Sequence, residues 1–461
     1  MSLITILSLI TSLPIIYPLY LMFMKKDLNL WDILILFSCL FFSVLPAIYG
    51  HLLVLETNVL VNVTFVLFFF HFTLFLVDKI FRRNHGKEFR ILNISFFLRH
   101  IQRVNISIIG KLLIALGLAL AYIFYLPRMS IVVRMEESGM KTNYAVSSFA
   151  MAMTSVISIM GVILILATLT NLKHIKNDKM LIALDIAYIA FMLFMPRRML
   201  LFPFLEFAIV FYSIHKKKIT KKLVSSMLLL FVIIYFVYFP FYNVIRWNKV
   251  NFNPSHPIES LVDIVKYGMN NYSVQQSEAI QSTDERTLGL FETIYNLFNN
   301  CTEWGNGKLT IAAIDGAIPK ILNPNKGRGT EYILEQMTGT YRDQADSIPL
   351  EACGDFGPFG AIYAVFLFFT LFWLYEKYSY LYYKLFKSYL VPTFLMFEIM
   401  SIAWNIEGNF GGRISFFFSS IFSIMVLLFL EHHKIITITR RRFITVTKVV
   451  KKTEENTDIK E

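Results

Sequence analysis

The sequence predicts an all-α polytopic membrane protein of about eleven transmembrane helices, with one large, partly helical external loop before the last three spans. Its 461 residues are 56% hydrophobic and only 16% charged, which is more apolar surface than a soluble domain can bury. The apolar residues also gather in runs of about 20, the length at which an α-helix crosses the hydrocarbon core of a bilayer. The same composition excludes a disordered chain.

The predicted spans fall on both sides of one long connection. Their approximate bounds are 3–24, 31–49, 59–78, 107–126, 147–170, 179–196, 199–214, 223–244, 357–375, 388–404 and 413–431. The runs 179–196 and 199–214 are predicted to form a hairpin, because one helix of about 36 residues would rise about 54 Å across a core of about 30 Å. Pro196 and Pro203 flank the predicted turn.

Basic residues divide the connections into two sets. Lys and Arg are concentrated in one set: 25–27, 79–90, 171–179, 215–222, 376–387 and the C-terminal tail. The other set contains 50–58, 127–146, the Arg197–Arg198 turn, 245–356 and 405–412. The positive-inside rule assigns the first set to the cytoplasm, so the net charge of +12 indicates orientation and not nucleic-acid binding.

Four regions follow from this topology. They are a membrane domain of about eight spans (1–244), a large external loop (245–356), a second membrane domain of about three spans (357–431) and a cytoplasmic tail (432–461).

The external loop is net acidic and is predicted to contain helices. Residues 246–356 hold nine Lys or Arg against fourteen Asp or Glu. Apolar residues recur at helical spacing in 286–301 and in 330–339, where Thr330 is the predicted N-cap and Gly339 the predicted terminator. Cys301 and Cys353 both fall in the loop, so a disulfide is an alternative to two free thiols.

Charged residues at the external face are the candidate site. The arginines are Arg197, Arg198, Arg286, Arg342 and Arg413, and the candidate bases are Asp343, Asp346 and Glu407. Guanidinium groups bind phosphate through two parallel hydrogen bonds, and a partly desolvated carboxylate can act as a general base. This set suits transfer chemistry on a lipid-linked diphosphate. The alternatives are that Arg197 and Arg198 snorkel to headgroups and that loop arginines pair with loop carboxylates.

Motifs for other chemistry are absent from the sequence. It has no phosphate-binding glycine-rich loop ending in Lys-Ser/Thr, no His-Glu-x-x-His, no Cys/His metal spacing and no Gly-x-Ser-x-Gly. No metal is expected, because no acidic pair suited to a metal lies in a short early external loop, and no cofactor is expected.

Two stretches of the loop resemble a known family. "AIPKILNPNKGRGTEYILEQ" (317–336) and "YRDQADSIPLEACGDFGPFG" (341–360), which runs into an aromatic span, resemble the loop of the bacterial O-antigen and capsule repeat-unit polymerases, the Wzy family. The resemblance covers about residues 190–420. It implies a multi-pass protein of the bacterial plasma (inner) membrane that polymerises undecaprenyl-diphosphate-linked oligosaccharide at the outer face.

The resemblance also implies roles and partners. Essential arginines bind the diphosphate, a role that falls to Arg197, Arg198, Arg286 and Arg413, with Arg342 added. The expected partners are the lipid-linked oligosaccharide, the bilayer and a chain-length regulator protein, with no nucleic acid.

Three alternatives stay open. An O-antigen ligase shares the general plan but is expected to carry a catalytic histidine in the loop, where this sequence has only His256, near the start. A flippase or transporter should carry ionisable groups at mid-membrane, where Asp185 and Glu398 are the main candidates. A purely structural membrane component would leave the grouped arginines unexplained.

Overall fold

Helices make up most of the chain that the computed structural model describes. The described residues are 3–25, 28–49, 55–83, 91–125, 144–193, 195, 197–215, 288–301, 303–318, 323, 329–339, 347–406 and 408–440, with isolated positions between 256 and 270.

The continuous helices are Leu3–Lys25 (α1), Leu30–Tyr49 (α2), Thr57–Arg83 (α3), Ile94–Arg99 (α4), Ile108–Leu120 (α5), Tyr144–Thr170 (α6), Lys179–Leu193 (α7), Arg197–Ile214 (α8), 288–300 (α9), Lys308–Ala317 (α10), Thr330–Thr338 (α11), Ile348–Phe356 (α12), Gly360–Phe386 (α13), Leu390–Trp404 (α14) and Phe410–His432 (α15). Two strands, Ile101–Ile106 (β1) and Ile436–Arg440 (β2), pair into a small antiparallel sheet.

Within the described residues, five helical stretches are long and apolar enough to cross a membrane. They are Leu3–Lys25, Leu30–Tyr49, Thr57–Ile80, Ile348–Phe386 and Phe410–His432. Shorter apolar helices accompany them at Ile108–Ile123, Val156–Thr170, Pro203–Ile214 and Leu390–Trp404. The chain is therefore an α-helical membrane protein. The count of eleven spans stays a prediction, and the predicted span 223–244 lies outside the described residues.

Helices α7 and α8 form the hairpin that the sequence predicts. Tyr188 of α7 packs against Gly161 of α6, and Nε2 of His215 lies 2.8 Å from the carbonyl oxygen of Leu169. Helix α7 thus runs antiparallel to α6, and α8 runs parallel to it. Pro203 does not flank the connection between the two helices, as predicted. It lies inside α8, which begins at Arg197.

The sheet is a feature that the sequence analysis did not predict. Ile101 pairs with Arg440 and Ile106 pairs with Ile436, with an irregularity between Ile101 and Arg103. The predicted cytoplasmic tail 432–461 therefore contains an ordered strand near its start. Residues 441–461 lie outside the described part of the chain.

One end of the helix bundle, here called the sheet end, consists of β1, β2 and residues 171–178. Arg103 of β1 donates from Nε to Asn171 Oδ1 at 2.8 Å. Lys111, near the start of α5, contacts both carboxylate oxygens of Asp178 at 2.7 and 2.6 Å. Several of the basic connections meet at this end.

The opposite end, here called the cap end, consists of α9 to α12. Helix α15 leads into β2, so its first residue, Phe410, is remote from the sheet end. Phe410 donates its backbone N–H to Glu351 Oε2 of α12 at 2.8 Å, and Tyr295 Oη of α9 accepts from the backbone N–H of Glu56 at 2.6 Å. The described helices of the net-acidic segment therefore pack on one end of the bundle, and several basic connections lie at the other.

Two helix boundaries in the cap end differ from the sequence prediction. Helix α11 ends at Gly339, which has a φ of +66°, as predicted, but its N-cap is Gly329 and Thr330 is its first residue. Residues 360–375 of the predicted span 357–375 belong to the longer helix α13, which begins at Gly360 and ends at Phe386. Cys301 and Cys353 are both free thiols, so the disulfide alternative is wrong.

Helix α12 folds back onto the start of α13. The chain turns at Gly357, whose φ of +56° favours glycine, and a Cβ atom on Gly360 would overlap the backbone of Ala352 and Cys353. The apolar stretch Ile348–Phe386 is therefore two helices in close contact and not one long helix.

We expect Gly360→Ala to destabilise the protein by about 2–3 kcal/mol, because the neighbouring backbone of α12 must move to admit the methyl group. Gly289→Ala is the matched control, since no atom lies within 4 Å of a Cβ atom at that helical position. The control should be neutral or stabilising by up to about 1 kcal/mol. Thermal unfolding of the purified protein in detergent compares the two, and equal midpoints would contradict the close packing.

Candidate functional site

Polar side chains from four helices lie within hydrogen-bond or electrostatic range of Glu398, on a fifth helix. This group, here called the interior cluster, consists of Ser158 (α6), Glu206 (α8), Tyr375 (α13), Glu398 (α14) and Arg413 (α15). Each of these helices is otherwise largely apolar. Ionisable groups at such positions are costly and commonly mark functional sites in membrane proteins.

Glu398 is the most deeply buried carboxyl group of the cluster. Its side chain is 4% exposed, and Ser158 donates from Oγ to its Oε1 at 3.1 Å. Glu206 of α8 lies within electrostatic range of it. Glu206 is half-buried, and the two carboxyl groups repel each other when both are ionised. This arrangement suits proton exchange or cation pairing.

Arg413 is held at the end of α14 by the turn that precedes α15. Its Nη2 donates to the carbonyl oxygen of Asn405 at 2.5 Å, and its guanidinium covers Gly408, where a Cβ atom would overlap it. A cation at the C-terminal end of α14 also interacts favourably with the helix dipole. The charge of Arg413 acts on both Glu398 and Tyr375. Arg413 therefore connects the cap end with the interior cluster.

Tyr375 presents a buried hydroxyl group to the same interior. Its Oη has no hydrogen-bond partner within the described part of the chain. A buried phenol without a partner costs free energy, so a water molecule or a ligand hydroxyl would stabilise it.

Carboxylates of the cap end hold the starts of two helices, one of which carries Arg413. Asp355 accepts hydrogen bonds from Leu309 N at 2.8 Å, from Thr310 N at 2.9 Å and from Thr310 Oγ1 at 2.7 Å. It thereby caps the start of α10, as Glu351 caps the start of α15. Both carboxylates are fully buried. The stretch "EACGDFGPFG", which resembles the polymerase loop, thus positions helices in this structure.

Of the predicted site residues, Arg413 is the one whose side chain lies within the described part of the chain. Arg197 and Arg198 are the first two residues of α8 and so belong to the end opposite the sheet, but their side chains lie outside the described residues. The other predicted positions also lie outside them: Arg286, Arg342, Asp343, Asp346 and Glu407. Whether these residues converge on Arg413 stays a prediction.

Glu206 is a site residue that the sequence analysis missed. Its position as the one carboxylate inside the apolar run of α8 could have identified Glu206 from the sequence. Within the described residues, no three His, Cys, Asp or Glu side chains come together as metal ligands.

Comparisons with known proteins do not assign the chain to a family. No family model, no curated protein and no solved structure matches it.

Proposed function

We propose that the protein polymerises undecaprenyl-diphosphate-linked oligosaccharide repeat units into O-antigen or capsule polysaccharide, as a metal-independent glycosyltransferase of the bacterial plasma membrane. The observation that carries this proposal is the position of Arg413. Arg413 lies where the cap end meets the interior cluster, and its guanidinium is held there by the carbonyl oxygen of Asn405. It is also one of the arginines to which the sequence resemblance assigns the binding of the diphosphate. A guanidinium so placed can hold a departing diphosphate.

The proposed topology has eleven spans, with 245–356 as an external loop. The cap end then faces outward and the basic sheet end faces the cytoplasm. The isoprenoid chain of the substrate would lie in the hydrocarbon core, beside the apolar helix faces, with its diphosphate at the level of Arg413.

The proposed reaction forms one glycosidic bond and releases one lipid diphosphate. A hydroxyl oxygen of the non-reducing sugar of one repeat unit attacks C1 of the reducing-end sugar of the growing chain. The bond from C1 to the diphosphate oxygen breaks, and undecaprenyl diphosphate leaves with the electron pair. The hydroxyl proton passes to a carboxylate, for which Asp343, Asp346 and Glu407 are the candidates. The arginines stabilise the negative charge of the leaving group.

A second candidate function is transport of a lipid-linked oligosaccharide. The observation that favours it is the pair Glu206 and Glu398 inside the bundle, because transporters place ionisable groups at mid-membrane. A ligase is a weaker alternative: His256 is exposed, and the one carboxylate that it approaches in the described residues is its neighbour Glu259, at 3.5 Å.

Cysteine labelling tests the topology. We expect a cysteine at exposed Glu303, in the cap end, to react with a membrane-impermeant reagent in intact cells. A cysteine at exposed Lys176, in the sheet end, should react only after permeabilisation. Both are made in a background where Cys39, Cys301 and Cys353 are serine. The reverse labelling pattern would mean that the orientation is inverted.

Arg197 and Arg198 can be tested by conservative replacement. We expect Arg197→Lys and Arg198→Lys to shorten the polysaccharide ladder, because lysine keeps the charge but loses the planar fork. Lysine snorkels as well as arginine does, so full-length ladders at normal protein abundance would support the headgroup-anchor alternative.

Deletion of the gene distinguishes the proposed functions. For a polymerase, surface polysaccharide should collapse to a single repeat unit, and expression of the wild-type chain should restore the ladder. Loss of all transfer to the lipid core would support the ligase. Accumulation of lipid-linked units at the cytoplasmic face would support the transporter.

A further inference from the structure

The sheet end contains a cleft that the proposed function does not use. Its volume is about 460 Å³, which lies within the range of small-ligand sites. Strand β1, the start of α5, the turn after α6 and the start of α7 form its walls. The polar side chains that line it include Arg103, Lys111, Asn171, His174, Asn177 and Asp178.

Arg103 gives this cleft a net positive charge. Lys111 and Asp178 form an ion pair and neutralise each other. Arg103 is exposed and donates from Nε to the uncharged Asn171, and no carboxylate among the described residues pairs with it. The Nη atoms of its guanidinium therefore remain available for an anionic ligand.

The partner that orients Arg103 is itself fixed. Asn171 donates from Nδ2 to the carbonyl oxygens of Val104 and Ala167, both at 2.8 Å. Val104 donates its N–H to Thr170 Oγ1 at 3.0 Å, so strand and turn are tied together. The guanidinium is thus held in place before any ligand arrives, which lowers the ordering cost of binding.

The cleft lies at the level where the bundle enters the hydrocarbon core. The first two residues of α5, Ile108 and Ile109, lie one turn from Lys111 and are 73% and 62% exposed. Helix α7 exposes Ile186 and Ile189 further along. In a membrane protein such exposed apolar faces contact acyl chains, so the start of α5 marks the headgroup region.

We propose that the cleft binds the phosphate group of an anionic phospholipid from the leaflet at the sheet end, with Arg103 as its principal ligand. His174 and Asn177 supply further hydrogen-bond donors from the turn. The acyl chains lie against the exposed faces of α5 and α7. The exposed Lys173 and Lys176 on the same turn disfavour the cationic headgroup of a zwitterionic lipid. This binding does not depend on the proposed polymerase activity.

Native mass spectrometry of the full-length protein in detergent tests the proposal. The protein is titrated with phosphatidylglycerol and, in parallel, with phosphatidylcholine. We expect the first phosphatidylglycerol to bind about tenfold more tightly than phosphatidylcholine, and Arg103→Gln to remove most of that difference. Lys384→Gln removes an exposed positive charge from α13 outside the cleft and should leave the difference in place.

Two further arms make the result decisive. A photoactivatable phosphatidylglycerol analogue, added to the wild-type protein, should crosslink to residues 103–111 or 171–181, a readout that needs no variant. Crosslinks confined to other segments, or unchanged phosphatidylglycerol binding by Arg103→Gln, would overturn the assignment. Equal affinity for the two lipids, together with thermal stabilisation by inorganic phosphate alone, would also overturn it, in favour of a soluble anion.

Discussion

Replacing Arg413 with glutamine is expected to reduce polymer formation about a hundredfold, the effect of removing one group that stabilises charge in a transition state. Arg413→Lys should recover only part of the activity, because lysine lacks the fork that donates to Asn405 and that we propose also binds a diphosphate. The measurement is the length and amount of surface polysaccharide at matched protein abundance. Arg99→Lys, at the sheet end, is the control and should give a normal ladder.

Gly408→Ala tests the position of Arg413 without changing its charge. The new methyl group would overlap the guanidinium, which is the flexible end of a side chain and can move away at little cost in stability. We therefore expect a shortened ladder with an almost unchanged unfolding temperature. A full-length ladder from both Gly408→Ala and Arg413→Gln would show that Arg413 only caps helix α14.

Replacing Asp355 with alanine is expected to destabilise the protein by about 3 kcal/mol or more. Three donors, two backbone N–H groups and the hydroxyl of Thr310, would lose their acceptor in a fully buried site, and each unsatisfied group costs about 1–3 kcal/mol. Asp355→Asn keeps one carbonyl oxygen and should lose less. The measurement is the thermal unfolding midpoint in detergent.

An exposed carboxylate of the same region provides the control for Asp355. Glu303→Ala should change the free energy of unfolding by no more than about 0.5 kcal/mol. If Asp355→Ala unfolds at the same temperature as Glu303→Ala, then Asp355 does not hold the start of α10.

The hydropathy pattern and the positions of helix-terminating residues predicted many of the helices. The α7–α8 hairpin followed from the bilayer thickness, and the end of α11 followed from Gly339, because glycine adopts a positive φ easily. The sheet was missed although "ITITR" alternates in the manner of a strand. Its partner β1 lies more than 300 residues away, and pairing over such a separation leaves no local signal.

The candidate site could be predicted only in part, because charge in a sequence does not reveal burial. Glu351 and Asp355 count among the acidic residues of the predicted external loop, yet both are fully buried and cap helices. Glu206 and Glu398 are far apart in the sequence, and only the packing of α8 against α14 brings them together. The sequence identified Arg413 as a candidate site residue. It did not reveal that the carbonyl oxygen of Asn405 accepts a hydrogen bond from the guanidinium and so holds it in position.

Reconstitution tests the central proposal most directly. The purified full-length protein is placed in liposomes with undecaprenyl-diphosphate-linked repeat units, without nucleotide sugars and with a chelator present. The proposal predicts products at integer multiples of the repeat unit, with one undecaprenyl diphosphate released for each new linkage and little product from Arg413→Gln. Liposomes in which the lipid-linked unit changes leaflet but never lengthens would contradict polymerisation and support transport.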